Sequence, residues 1–171
     1  MVSSNTIRLW TEKGLLKSET TLGGHRRFLR SEIDAFLRER QQPPVKRDIP
    51  TVLIIEDEPE LAQAMAQGLT SAVPGMTVHI ATDGFSGGLK ASLYQPDFVV
   101  LDLKMPGRDG VEVCRMLKDE PQTRNIQLIA CTGYADAAQV QAVLAAGAQA
   151  CLFKPVRTAK LLEVFGLGIK H

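Results

Sequence analysis

The sequence predicts an α/β fold, a five-stranded parallel sheet with helices on both faces, preceded by a small basic head. Three observations predict it. From Thr51 onward, short apolar runs alternate five times with stretches of helix-forming residues, as when a chain returns through a helix to lay down each parallel strand. A segment holding three prolines, residues 41–50, separates this pattern from what precedes it; proline removes amide donors, so neither helix nor central strand continues there. The charge divides at nearly the same place. Residues 1–47 carry ten Lys/Arg and five Asp/Glu, a balance of +5, whereas residues 48–171 carry ten and fourteen, a balance of −4. The expected organisation is a module over 1–40, a linker over 41–50 and a larger domain over 51–171. The different charges suggest different partners for the two parts.

Each element follows from its residues. The β-branched run TVLII at 51–55 reads as a buried strand. Residues 59–71, rich in Leu, Ala, Met and Gln, read as a helix that Pro74-Gly75 ends. A strand over 76–81 and a helix over 85–94 come next, then a strand over 97–101 and a helix over 111–118. Residues 126–131 read as a strand, 137–146 as a helix stopped by Gly147, 150–153 as a short strand and 158–165 as a last helix. Right-handed crossovers leave few topologies, and the working site of such a sheet lies at the carboxyl ends of its strands.

No run of roughly 18 uncharged apolar residues is present, and the N-terminus has no secretory pattern, so neither a membrane span nor export is expected. Cys114, Cys131 and Cys151 are odd in number and match no metal spacing. They read as reduced thiols of a cytoplasmic protein.

Polar residues concentrate where the topology puts the working edge. Glu56-Asp57 follows the first strand, Asp102 ends the third, Thr132 follows the fourth and Lys154 the fifth. Three converging carboxylates repel each other, which raises at least one pKa unless a cation intervenes. An all-oxygen set with open water positions suits Mg²⁺ better than Zn²⁺. Asp102 can then serve as a nucleophile towards a phosphoryl group, with Lys154 and the Thr132 hydroxyl facing its oxygens. Each residue taken singly has a structural explanation. Glu56-Asp57-Glu58 could favour a helix dipole, Asp102 could cap a turn before Met105-Pro106-Gly107, Thr132 could open a helix, and Lys154 could be solvated. Four such coincidences at one edge favour chemistry.

At these residues the sequence resembles the receiver domains of two-component response regulators. The matching text is VLIIEDEP, VVLDLKMPGRDG, IACTGYAD and AGAQACLFKP, in that order, over residues 51–168. The resemblance implies a flavodoxin-like (βα)5 fold with Asp102 as phosphoacceptor. It implies Mg²⁺ held directly by Asp57 and Asp102 and the Lys104 backbone carbonyl, with Glu56 acting mainly through water. Thr132 and Lys154 would contact the phosphoryl group, and the Lys154-Pro155 peptide would be cis. One departure stands out. The family's switch position, three residues before the lysine, is usually Tyr or Phe and here is Cys151, a smaller group with a weaker steric readout. Tyr134, two residues after Thr132, borders the site and could tune water access or partner docking, or be an exposed loop aromatic.

In the head, residues 3–16 read as a short helix capped by Ser3 or Ser4 and stopped by Gly14, with Trp10 among its apolar anchors. Residues 17–27 read as a hairpin about Leu22-Gly23-Gly24, and Ser31 opens a second helix to about residue 40. SSNTIRLWTEKGLL and GGHRRF resemble the MerR-like and excisionase-like winged helix-turn-helix. That resemblance implies Asn5, Thr6 and Arg8 facing a DNA major groove, and His25, Arg26 and Arg27 on a backbone-touching wing. The family's first helix would precede Val2, so a truncated or degenerate module is expected.

The expectation is a cytoplasmic two-component response regulator rather than a turnover enzyme. A histidine kinase or phosphotransfer protein would phosphorylate Asp102 and so regulate DNA binding by the head. A surface near the fourth helix, fifth strand and fifth helix would change, with a homodimer on paired half-sites as its consequence. The rivals are a signalling or protein-interaction module whose head does not bind DNA, which salt-dependent binding of duplex DNA would separate, and a phosphatase with an aspartyl-phosphate intermediate. Against the phosphatase stands the lack of a second general acid beside Asp102.

Overall fold

The structure is a computed structural model and describes residues 11, 19–20, 26–28, 49–134 and 137–167. The chain divides into two compact units, Met1–Arg47 and Asp48–His171.

In the first unit the described residues include an antiparallel pair, Glu19–Thr20 with Arg26–Arg27, in the register Glu19↔Arg27 and Thr20↔Arg26. These two strands flank the turn expected about Leu22-Gly23-Gly24, which itself lies outside the described residues. Thr11 is helical, within the first expected helix. The second expected helix, and residues 41–48 of the expected linker, lie outside the described residues. Pro50, the linker's last residue, is buried.

The second unit is built on strands β1 (Thr51–Ile55), β2 (Thr77–Ala81), β3 (Phe98–Asp102), β4 (Gln127–Thr132) and β5 (Ala150–Phe153). They are all parallel, in the order β2-β1-β3-β4-β5. Helices α1 (Pro59–Ala72), α2 (Gly84–Tyr94), α3 (Gly110–Asp119) and α4 (Ala137–Ala145) fill the four crossovers, and α5 (Thr158–Val164) follows β5.

Strand alternation makes two cores. Val52 and Ile54 of β1, with Phe98, Val100 and Ile129, pack against Leu69 of α1 and Leu161 and Leu162 of α5. Leu53 and Ile55, with Val99, Leu101 and Leu128, pack against α2, α3 and α4 through Ala91, Val113, Leu117 and Val143. Each fully buried Leu or Ile contributes about 1.5–3 kcal/mol over leaving it exposed. The central strands therefore read as unbroken apolar runs, because both their faces are covered.

Two of the helices open on an aspartate cap. Asp83 accepts from the Ser86 amide at 2.8 Å and opens α2, and Asp109 accepts from the Val111 amide at 3.0 Å and opens α3. Two features differ from the sequence reading. Asp97 precedes β3, and its carboxylate accepts the Thr51 amide at 2.7 Å, which ties the start of β1 to the start of β3. Lys104–Met105 and Arg108–Asp109 form a small antiparallel pair around Gly107, whose φ of +88° suits a residue without a side chain.

Candidate functional site

The carboxyl ends of four strands deliver the expected polar groups to one place. Glu56 and Asp57 leave β1, Asp102 is the last residue of β3, Thr132 the last of β4, and Lys154 follows β5. One ligand oxygen from each of Glu56, Asp57 and Asp102 lies within 4.8 Å of the others. Glu56 and Asp102 are buried, at 1% and 4% exposure, and Thr132 is fully buried.

Lys154 holds the acidic pair together. Its Nζ donates to Glu56 Oε2 at 2.7 Å and to Asp102 Oδ2 at 3.0 Å. Its peptide bond to Pro155 is cis, as the resemblance implied. The other Asp102 oxygen, Oδ1, accepts the Lys104 amide at 3.1 Å, so this carboxylate also caps the turn after β3. The Thr132 hydroxyl donates to the Tyr134 carbonyl at 2.9 Å. Tyr134 is 72% exposed, and the Lys104 ammonium lies 5.5 Å from its ring centroid.

The electrostatics carry the conflict that the sequence implied. Burial raises the pKa of Glu56, and the Asp102 charge adds to the rise, while the hydrogen bond and charge of Lys154 and the Glu58 amide oppose it. For Lys154 burial alone would lower the pKa; hydrogen bonds and charges from Glu56 and Asp102 outweigh it, and the net shift is upward. The donor set fits a hard divalent cation. It is all oxygen, it is tightly clustered, and burial holds the Glu56 carboxyl back from ionising despite the opposing Lys154 charge.

Cys151 sits on β5, partly buried against the α2–α3–α4 core. All three cysteines are free thiols, and burial pushes the Cys131 thiol up to about 12. Of the head residues, Arg26 and Arg27 form one strand of the hairpin, whereas Asn5, Thr6, Arg8 and His25 lie outside the described residues.

Sequence reasoning missed Gly110. A Cβ there would stand 2.5 Å from Leu103 Cα and 2.8 Å from the Asp102 carbonyl oxygen, so this glycine lets α3 start hard against the end of β3. Its place eight residues after Asp102 is visible in the sequence, but the close approach is not.

Comparisons with known proteins agree with this geometry. Residues 52–165 match the family profile of the response regulator receiver domain, and residues 2–41 match that of a helix-turn-helix domain. The chain is 32% identical over 114 residues to the DNA-binding dual master transcriptional regulator RpaA of a Synechocystis strain, covering 67% of this chain and 46% of that protein. It is 28% identical over 114 residues to the phosphate regulon transcriptional regulatory protein PhoB of Rhizobium meliloti, covering 67% of this chain and 49% of that protein. The chain thus spans about half the length of these two curated relatives. Among solved structures, the signal receiver domain of a DNA-binding response regulator (merR) from Colwellia psychrerythraea is 36% identical with a TM-score of 0.65, covering 70% of this chain and 96% of that one. A CheY-like receiver domain from Methanospirillum hungatei is 27% identical with a TM-score of 0.64, covering 70% and 92%. With a flavodoxin-like receiver fold over most of its length and a helix-turn-helix match before it, the chain belongs to the response regulator receiver domain family.

Proposed function

We propose that this chain is a two-component transcriptional response regulator in which Asp102 is the phosphoacceptor. The observation that carries the reading is the convergence of Glu56, Asp57, Asp102, Thr132 and Lys154 at one sheet edge, with Lys154 already bonded to the carboxylate that would react. A histidine kinase or phosphotransfer protein would be the donor. An Asp102 oxygen attacks the phosphorus of a phosphohistidine; the P–O bond forms as the P–N bond breaks, and the departing imidazole keeps or regains its proton from solvent. Lys154 stays beside the reacting carboxylate and neutralises a phosphoryl oxygen, and the buried Thr132 hydroxyl donates to another. Mg²⁺, held by Asp57, Asp102 and the Lys104 carbonyl with Glu56 acting through water, would supply the remaining positive charge at the phosphoryl oxygens.

The output would be DNA binding by the head, through Asn5, Thr6 and Arg8 in the major groove and His25, Arg26 and Arg27 on the wing. The described residues contain no helix long and apolar enough to cross a membrane, which is compatible with action on DNA in the cytoplasm. Leu144 of α4 and Phe153 of β5 are 43% and 58% exposed on the surface through which a homodimer would form. The chemistry is stoichiometric, so the chain acts as a regulator and not as a turnover enzyme.

Incubation with acetyl phosphate and Mg²⁺ is expected to add about 80 Da, the mass of one phosphoryl group, and Asp102→Asn to abolish the adduct. No adduct with any phosphodonor would sink the reading. Titration of duplex DNA with and without beryllofluoride tests the output, and equal affinity in both arms would remove the link between receiver and head.

A further inference from the structure

Two contacts converge on Tyr134. The buried Thr132 hydroxyl donates to its backbone carbonyl at 2.9 Å, and its exposed ring lies beneath the Lys104 ammonium, 5.5 Å from centroid to Nζ. Lys104 is itself tied to Asp102, whose Oδ1 accepts its amide at 3.1 Å. The loop after β3 and the loop after β4 are thus joined at the edge where Asp102 stands.

A hydroxyl has one proton to donate. Thr132 can give it to the Tyr134 carbonyl or to a phosphoryl oxygen on Asp102, but not to both at once. The Lys104 ammonium faces a similar choice between a neutral ring and new negative charge, and the charge is the stronger attractor at equal distance. Phosphorylation would therefore withdraw both of these described contacts to Tyr134. Cys151, on the neighbouring strand, is a thiol with no ring to move in response.

We propose that Tyr134 is the residue through which this protein registers the state of Asp102. On phosphorylation the Thr132 hydroxyl leaves the Tyr134 carbonyl, Lys104 leaves the ring, and the loop presents an altered aromatic surface beside the site. The inference rests on Asp102 being the phosphoacceptor, and the experiment separates the two claims.

The chain has two tyrosines, Tyr94 and Tyr134. Tyr94 stacks on His79 at 3.8 Å between centroids and serves as an internal reference. Full-length protein labelled with 3-fluorotyrosine gives two tyrosine fluorine resonances, assigned with Tyr134→Phe. Saturating beryllofluoride with Mg²⁺ is expected to give bound-fluoride signals and to move the Tyr134 line by more than its width, with Tyr94 unmoved. Thr132→Val, once loaded, is expected to leave the Tyr134 line near its resting position. Lys104→Gln is expected to move the resting line towards the loaded one. Bound beryllofluoride with an unmoved Tyr134 line overturns this inference and leaves Asp102 as phosphoacceptor; a Thr132→Val line that moves as far as the native one, or a resting line unaffected by Lys104→Gln, overturns it too. Absence of both bound beryllofluoride and an acetyl phosphate adduct overturns both claims.

Discussion

Lys154 bonds Glu56 and Asp102 at once, so it offsets two buried negative charges with one positive one. Removing it leaves both carboxylates uncompensated, a kind of loss that costs about 3–5 kcal/mol in buried pairs. Protonation of Glu56 and partial solvent access to Lys154 relieve part of this, so Lys154→Met is expected to cost about 2–3 kcal/mol in metal-free protein. The measurement is a lower urea midpoint at unchanged slope. An unchanged midpoint would show that the lysine is not holding the acidic pair.

Glu56 makes a pH prediction whose sign follows from its environment. Its folded pKa is raised above the ordinary 4.5, chiefly by burial. Such a carboxyl contributes stability below its unfolded pKa, and that contribution is lost as pH rises through the folded value. Glu56→Gln keeps an acceptor for Lys154 without the charge. Metal-free variant is therefore expected to be more stable than the native protein at neutral pH, with the difference closing as the pH falls towards 4.5. Mg²⁺ should favour the native carboxylate and narrow the gap. Thermal melts across pH, with and without Mg²⁺, check this, and a difference independent of pH would refute it.

At the scale of elements, the β3–α3 connection is held by a close backbone approach. A side chain on Gly110 would meet backbone atoms of Leu103 and Asp102, which cannot rotate away. Gly110→Ala is expected to cost about 1–3 kcal/mol through this overpacking. Because the displaced atoms belong to Asp102 and its neighbour, phosphorylation by acetyl phosphate should slow as well. A variant with native stability and native phosphorylation rate would show that the junction relaxes freely. The strands themselves were legible within one or two residues, because both sheet faces are buried and the apolar runs are correspondingly dense. The small pair about Gly107 was not legible. Two residues on each side carry no periodicity, and only the path of the chain after Asp102 brings Lys104 opposite Asp109.

For the whole molecule, the division of charge between the two units bears on how the head would meet DNA. Each phosphate contact made by a basic side chain releases counterions, so affinity falls with salt. If Arg26 and Arg27 both touch phosphates, changing both to Ala is expected to lower the slope of log K against log salt by about 2, roughly 1 per contact. Affinity should weaken by a similar factor for unrelated duplex sequences. An unchanged slope would assign these arginines to the hairpin alone.

What the sequence determined by itself was the order of strands and helices, the edge where the site lies and the kinds of group gathered there. Those follow from local apolar pattern and from a topology with few alternatives. Tertiary structure alone decided that Lys154 is shared between Glu56, 98 residues away, and Asp102, 52 residues away. It also decided that Gly110 abuts the β3 backbone, and that the Thr132 hydroxyl is already engaged by Tyr134. The physical reason is range. A residue's own neighbours in the chain set its backbone preference, whereas the partner of a buried charge or hydroxyl is whichever group the folded chain brings within about 3 Å.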